Sequence, residues 1–417
     1  MYPSIRDAPV ELRAGKLVGG ASGIGRNVFF LGLTSLFTDI SSEMVTSILP
    51  IYLVFALRFT PLEFGVIDGL YQGIAALLRL VGGIAADTWR RYKEVAAIGY
   101  ALSAVCKIGL ILAGGAWVAL TAVLLLDRTG KGVRTAPRDA LISLSSGAAS
   151  LGTAFGVHRA LDTAGAFLGP IVAFVLLSQT PGAFDSIFVG SFCAAVVGLG
   201  VLVLFVENRT AARPPATASG IVRQALPELM SSAPFRALLI AGAGLSLATM
   251  SDGFLYLAWQ RRLDLQVGFF PLLFVGTSLV YLTLAVPAGR LADRIGRARV
   301  FVGGYALLPA VYLTLVLPAA DYVMLGGALL LFGAYYAATD GVLMAMTSAI
   351  LPIDLRTTGI AAITTVVSLC RLLASVLFGA LWTWFGVQTA VLAFAFGLVA
   401  ALLLATLVLG KMYRDMR

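Results

Sequence analysis

Apolar residues in this chain come in long runs separated by short polar intervals, each run close to the roughly 20 residues that a helix needs to cross a bilayer. Such runs begin near Asn27, Pro61, Val95, Ala116, Gly152, Asp185, Phe235, Val267, Ala298, Tyr322, Thr357 and Val387. The pattern predicts twelve transmembrane helices. The longest polar interval, Thr210 to Ser232, holds Arg213-Pro214-Pro215 and then an amphipathic stretch from Ile221 to Met230, which reads as an interfacial linker helix rather than a partner-binding site. The expected organisation is an N-terminal arm over 1–26, a six-helix bundle over 27–206, a linker over 207–233, a second bundle over 234–410 and a tail over 411–417.

The two halves share a string. Gly83-Ile84-Ala85-Ala86-Asp87-Thr88-Trp89-Arg90-Arg91 closes the second run and Gly289-Arg290-Leu291-Ala292-Asp293-Arg294-Ile295-Gly296-Arg297 the eighth, with glycines and aspartates each 206 residues apart. A unit of half the chain has been used twice, and two equal apolar halves are how many secondary transporters are built.

Composition sets the solvent. The chain is 59% hydrophobic and 12% charged, about half the charge of an ordinary soluble domain, so its surface is suited to lipid. The net charge of +9 would suggest nucleic acid in a soluble protein, but its placement argues for topology. Lys and Arg cluster before the first span (Arg6, Arg13, Lys16, Arg26), after the second (Arg90, Arg91, Lys93), between the sixth and seventh (Arg209, Arg213, Arg223), after the eighth (Arg294, Arg297, Arg299) and at the end (Lys411, Arg414, Arg417). The alternate loops around Gly114, Thr180, Ala320 and Gly386 lack them, so the positive-inside rule puts both termini in the cytoplasm. Arg58, Arg261 and Arg262, in expected outer loops, run against the pattern without reversing it. Cys106, Cys193 and Cys370 fall inside expected spans with no paired spacing and read as small apolar residues. Met344 and Met346, two apart, face different sides of a helix and read as packing or cavity residues rather than a copper site. Gly19 to Gly25 lacks the preceding strand and the Lys-Ser/Thr ending of a phosphate loop and reads as a flexible arm. No small-residue cleavage site follows a short apolar core, so the first span is expected to stay. No cofactor and no metal is implied.

The Gly-x-x-x-Asp string after spans two and eight resembles the cytoplasmic loop signature of the major facilitator superfamily. The second copy is nearly complete; the first has Thr88 where a basic residue is usual and Arg90 where a glycine is usual. Asp127-Arg128-Thr129-Gly130-Lys131-Gly132 in span four is similar to that family's Arg-x-x-Gln-Gly element, with Lys131 in place of glutamine. Gly165-Ala166-Phe167-Leu168-Gly169-Pro170 in span five is similar to the Gly-x-x-x-Gly-Pro element of its antiporters. The resemblance covers Asn27 to Gly410. It implies an all-α integral membrane fold, twelve helices in two pseudo-symmetric six-helix bundles, with spans one, two, four, five, seven, eight, ten and eleven around a central cavity and three, six, nine and twelve against lipid.

Charges near a bilayer centre cost on the order of 2.5 to 3.5 kcal/mol each by insertion scales, and this chain keeps many. They are Asp39 and Glu43 (span one), Asp68 and Arg79 (two), Asp127, Arg128, Lys131 and Arg134 (four), His158, Arg159 and Asp162 (five), Asp252 (seven), Asp340 (ten) and Arg371 (eleven). All fall on the spans that the resemblance assigns to the cavity; Lys107 in span three is the exception, left to snorkelling or an inward-facing pair. At about 1.5 Å per residue, Asp39, Glu43, Asp127 and Arg128 approach one level near the midplane, His158 and Asp162 fall slightly to the cytoplasmic side, and Arg371 falls near the middle. Alternating-access proteins bind at that level.

Asp39 and Glu43 are four apart and share a helix face, where like charges favour one carboxyl keeping its proton; permanent ionisation against Arg128 or Arg371 is the competing reading. His158, the chain's one histidine, lies on one stripe with Asp162, Gly165 and Gly169, as a proton relay or as a packing histidine bonded to Asp162. The proton-coupling candidates are therefore Asp39, Glu43, His158 and Asp162. Arg128 and Lys131, with Arg159, Asp252, Asp340 and Arg371, are the substrate-binding candidates, and Asp127 is spaced to pair with Lys131. The gating candidates are Gly83, Asp87, Gly289 and Asp293 in the repeated loop, Arg138 as a latch for Asp87, and Gly165, Gly169 and Pro170, where glycines allow close helix contact and proline bends the span.

The reading is a monomeric, multi-pass transporter of a bacterial inner membrane, whose partners are a small-molecule solute, protons and lipid, with no nucleic acid. It is expected to be a proton-coupled antiporter exporting a small organic compound. A proton symporter importing an anionic solute is the alternative, motivated by the cationic fourth span. A membrane sensor or scaffold lacks a sizeable soluble domain, and an enzyme lacks a nucleophile with a plausible base.

Overall fold

The computed structural model describes residues 25–89, 91–146, 151–180, 182–209, 227–318, 321–352 and 355–415, and the regular structure among them is helical throughout. The first bundle comprises α1 (Arg26–Ile51), extended by a π-helical turn (Tyr52–Ala56), α2 (Pro61–Trp89), α3 (Tyr92–Ala113), α4 (Trp117–Leu144), α5 (Leu151–Gln179) and α6 (Phe184–Phe205). The second comprises α7 (Ala233–Leu247), α8 (Asp252–Leu263), a 3₁₀ turn (Val267–Phe269) leading into α9 (Phe270–Ile295), α10 (Arg297–Tyr305), α11 (Leu308–Thr314), α12 (Tyr322–Ile350) and α13 (Arg356–Asp415). The arm, most of the linker including the start of its amphipathic stretch, and the last two residues lie outside the described residues.

Eight helical stretches among the described residues are long and apolar enough to cross a membrane, the last running 55 residues from Thr358 to Met412. It is two arms joined at Gly386, where φ is 84°, a region that glycine enters without steric cost. Helix also fills the other expected spans, in α2, in the charge-rich α4, and in α10 with α11.

Local chemistry explains the ends and breaks. α2 starts on a capping box: the Thr60 N–H donates to Glu63 Oε2 at 2.7 Å and the Glu63 N–H to Thr60 Oγ1 at 3.2 Å, with Pro61 at the first helical position. The seventh span breaks between α7 and α8, and the freed Met250 N–H donates to Tyr312 Oη at 2.8 Å, meeting the requirement that backbone groups inside a bilayer find partners. The ninth breaks ahead of Pro309, which has no N–H to give the preceding turn.

Within the first bundle α1 packs on α5 and α6, and α4 on α2 and α3; within the second α9 packs on α12, and α13 on α7. Apolar side chains such as Leu112, Leu204, Leu313 and Leu407 stand exposed on expected spans three, six, nine and twelve, the helices assigned to lipid. The bundles meet through α2 against α13 and α5 against α9. A Cβ on Gly65 would lie 2.5 Å from the Ser375 carbonyl oxygen, and one on Gly69 2.7 Å from that of Leu372. Phe64 meets Phe254 edge-on at 4.8 Å, and Phe174 lies 5.7 Å from Phe269. These contacts share the end away from the linker. At the linker end a Cβ on Gly152, Gly156, Gly289 or Gly341 would meet nothing within 4 Å. Among the described residues, the bundles are closed at one end and stand apart at the end where the linker joins them.

Candidate functional site

Between the bundles lies a cavity of about 250 Å³. From the first bundle it is lined by Glu43, Thr46, Asp68, Tyr71, Gln72, Arg128, Lys131 and Thr135, and from the second by Asp252, Gly253, Phe274 and Tyr336; Leu49, Pro50 and Phe64 close its outer end. Thus Glu43, Arg128, Lys131 and Asp252, four of the sequence-derived candidates, share one wall-to-wall space.

On α4, Arg128, Lys131 and Thr135 step by three and four and so share the face turned to the cavity. The Arg128 guanidinium carbon sits 3.3 Å from the centre of the Tyr71 ring, and Arg128 donates to Thr46 Oγ1 at 3.3 Å. Thr46 Oγ1 and Tyr71 Oη are 3.1 Å apart. Arg128 is buried and its Nε has no hydrogen-bond partner. Among the described residues neither Arg128 nor Lys131 forms an ion pair; Glu43, Asp39 and Asp68 act on Arg128 at longer range.

Asp127 does not pair with Lys131. It turns to the flank of α4 that packs on α3, where Lys107 Nζ donates to its Oδ1 at 2.9 Å, with side-chain exposures of 1% and 5%. Ser103 of α3 donates to the Asp127 carbonyl at 3.2 Å and accepts from Arg134 at 2.8 Å, and Arg134 lies 4.8 Å from the Tyr100 ring. Arg128 and Arg134 are six residues apart, which rotates them about 120° from each other; Arg128 and Lys131 therefore face the cavity and Arg134 faces α3, while Arg138 reaches α1 and α5. The inward-facing pair accounts for Lys107.

One turn from Glu43 along α1, towards the linker end, Asp39 comes within hydrogen-bonding reach of Asp162 on α5. Arg138 lies 3.6 Å from Asp162 and 2.9 Å from Asp139, and donates to Ser35 Oγ at 3.3 Å. Arg159, 81% exposed, reaches Asp162 at 3.7 Å. His158 is buried with no partner on Nδ1. Arg159 is not part of the cavity lining. Gly165 and Gly169 let α5 press on α1: a Cβ on Gly169 would lie 2.8 Å from both the Ile40 carbonyl oxygen and Glu43 Cβ. Pro170 lies inside α5.

In the second bundle Tyr336 Oη donates to Asp252 Oδ1, and Arg371 is within electrostatic range of Asp252, its own Nε buried without a hydrogen bond. Asp340 is exposed, outside the cavity lining. Asp293 pairs with Arg297 at 3.0 Å, and Arg297 donates to the Ala345 carbonyl at 3.2 Å, tying the repeated loop to α12. Arg79, Gly83 and Asp87 fall in the part of α2 whose side chains lie outside the described residues, and with them the expected contact of Arg138 with Asp87; Arg138 itself engages Asp139 and Asp162.

Asp68 holds a place that its membrane position alone does not give. It accepts from Gln72 at 3.1 Å and, across the bundle interface, from Ser375 Oγ at 2.7 Å. The sequence signal for that crossing is Gly65, Gly69 and Gly73, a four-residue repeat of small residues on α2 that lets α13 approach.

The profile of the Major Facilitator Superfamily matches residues 31–274 and 254–417. An uncharacterized MFS-type transporter of Methanocaldococcus jannaschii is 32% identical over 369 residues, spanning 86% of this chain and 89% of the relative. Among solved structures, the nucleoside transporter NupG aligns with a TM-score of 0.78 at 14% identity, over 91% of this chain and 99% of that one. A bacterial homolog of the human lysosomal transporter Spinster, inward-facing and unoccupied, aligns with a TM-score of 0.71 at 13% identity over 95% and 99%. At those identities the two structures speak for the fold alone.

Proposed function

The chain belongs to the Major Facilitator Superfamily, and from that premise we propose that it is a proton-coupled secondary transporter exporting a small organic compound by antiport across a bacterial inner membrane. Its family makes it a multi-pass membrane transporter of small molecules working by alternating access, and not an enzyme. The finer reading rests on one observation: a run of carboxyls leads from the cavity towards the linker end. Glu43 lines the cavity with no hydrogen bond or ion pair among the described residues, and one turn on, Asp39 and Asp162 meet. Two carboxyls can share a hydrogen bond only with a proton between them, so the run is a place to hold a proton beside a binding cavity.

Antiport follows if solute and proton compete. A donor or cationic group of the solute facing Glu43 needs it as a carboxylate, and a proton there removes that partner. The Gly165 to Pro170 element supports this reading, because Gly169 braces α5 directly against α1 at Glu43. Symport of an anionic solute is favoured by a different observation: Lys131 is in electrostatic range of both Asp39 and Glu43, and an anion drawing Lys131 away would leave those carboxyls readier for a proton. The cytoplasmic side is the linker end by the positive-inside pattern, so the open state faces the cytoplasm.

The test is flux of a solute panel in proteoliposomes under an imposed pH gradient. Antiport predicts that solute accumulates on the acidic side. Accumulation on the alkaline side gives symport, and flux of every transported solute indifferent to the gradient contradicts proton coupling.

A further inference from the structure

The cavity carries both signs of charge, its cations from the first bundle alone and its carboxyls from both. Its two cations, Arg128 and Lys131, sit on α4 of the first bundle with no carboxylate within ion-pair distance among the described residues. The second bundle contributes no cation to the lining and one carboxylate, Asp252, oriented by the Tyr336 hydroxyl. Asp68 lies within electrostatic range of both Arg128 and Asp252, and its oxygens are already engaged by Gln72 and Ser375. The lining thus holds three carboxyls, Glu43, Asp68 and Asp252, and two cations, with Arg371 in electrostatic range of Asp252 and Asp39 in range of Arg128 and Lys131. A solute of one sign would leave the other set of groups unmatched inside the bilayer, where isolated charges are costly; a solute carrying both signs meets a partner for each.

Resting on the reading of this cavity as the transport site, we infer that its solute is a small zwitterion of the amino-acid type, its carboxylate between Arg128 and Lys131 and its ammonium facing Asp252 and Glu43. The guanidinium stacked on Tyr71 presents a planar edge suited to a carboxylate. The ammonium has carboxylate acceptors on both bundles, and its demand for an ionised Glu43 is what a competing proton removes. Leu49, Pro50, Phe64 and Phe274 give the remainder of the solute an apolar seat. A cavity of about 250 Å³ is below the range for drug-sized ligands, which suits a molecule of that class. Because the first bundle reads the carboxylate and both bundles supply carboxylates to the ammonium, the bound solute bridges them and its seat changes when they rock.

The test uses the full chain in nanodiscs with L-leucine, L-phenylalanine and 5-aminovalerate, each beside its anionic N-acetyl derivative and its cationic methyl ester, with dissociation constants measured by calorimetry. At least one amino acid should bind, and its two blocked forms at least about tenfold more weakly. Arg128→Gln should abolish the discrimination against the ester, and Asp252→Asn the discrimination against the N-acetyl form. Arg128→Lys, which keeps the charge, should restore part of it and separates loss of charge from loss of fold. A blocked form binding as tightly as its amino acid, or no binding by any member, overturns the inference. Labelled-solute exchange in proteoliposomes is read separately: binding without exchange contradicts the transport reading and leaves the zwitterion seat intact, whereas exchange by a blocked form alone does the reverse.

Discussion

The Lys107 and Asp127 pair shows how much a single contact decides. Both side chains are sealed from solvent at 2.9 Å separation, on the flank of α4 that meets α3, and by taking up Asp127 the lysine leaves Lys131 without an acidic partner on its own helix. Breaking a buried pair from one side leaves an uncompensated charge, so Lys107→Met should destabilise the protein by about 3–5 kcal/mol, while Lys107→Met with Asp127→Leu should be near neutral or better. Unfolding in nanodiscs checks this, and a single variant as stable as the wild type would mean the pair is not desolvated. Sequence reasoning found Lys107 as an anomaly but not its partner, because the contact spans 20 residues and two helices. The same limit hid the stacking of Arg128 on Tyr71 and the Tyr336 hydroxyl on Asp252. Residue type and depth were legible there, and facing was not.

Among the elements, the apolar runs and the repeated loop mark the helices well, since a bilayer demands length and hydropathy that the sequence states openly. The interruptions were less legible. The seventh span divides into α7 and α8 at a stretch without proline, stabilised by Tyr312 from a distant helix. The contact of α2 with α13 was readable only through Gly65, Gly69 and Gly73, whose spacing resembles ordinary membrane glycine use until the partner helix is seen. Gly69 has the Leu372 backbone within 2.7 Å of where a Cβ would stand, so Gly69→Leu should wedge the closed end apart and shift the population towards the opposite opening. In a cysteine-free background, Thr135→Cys in the cavity should then react several-fold more slowly with an impermeant reagent applied from the linker side. Equal labelling rates with and without the wedge would show that this contact does not hold the end shut.

At the scale of the molecule, two bundles closed at one end, a charged cavity between them and a run of carboxyls leading from that cavity to the open end form the parts that alternating access requires. Rocking that opens the other end must separate α2 from α13, and with them the Asp68 to Ser375 hydrogen bond, so cavity occupancy and gate share a residue. Asp68→Asn keeps an acceptor for Ser375 and should slow transport less than Asp68→Leu, as initial exchange rates would report; equal rates in the two variants would remove Asp68 from the gate. In the proposed mechanism, protons are carried on Glu43, Asp39 or Asp162. The most direct measurement compares pH-driven transport with solute exchange in proteoliposomes for Glu43→Gln, Asp39→Asn and Asp162→Asn. At least one variant should lose pH-driven transport while exchange continues, and full proton coupling in all three would contradict this assignment.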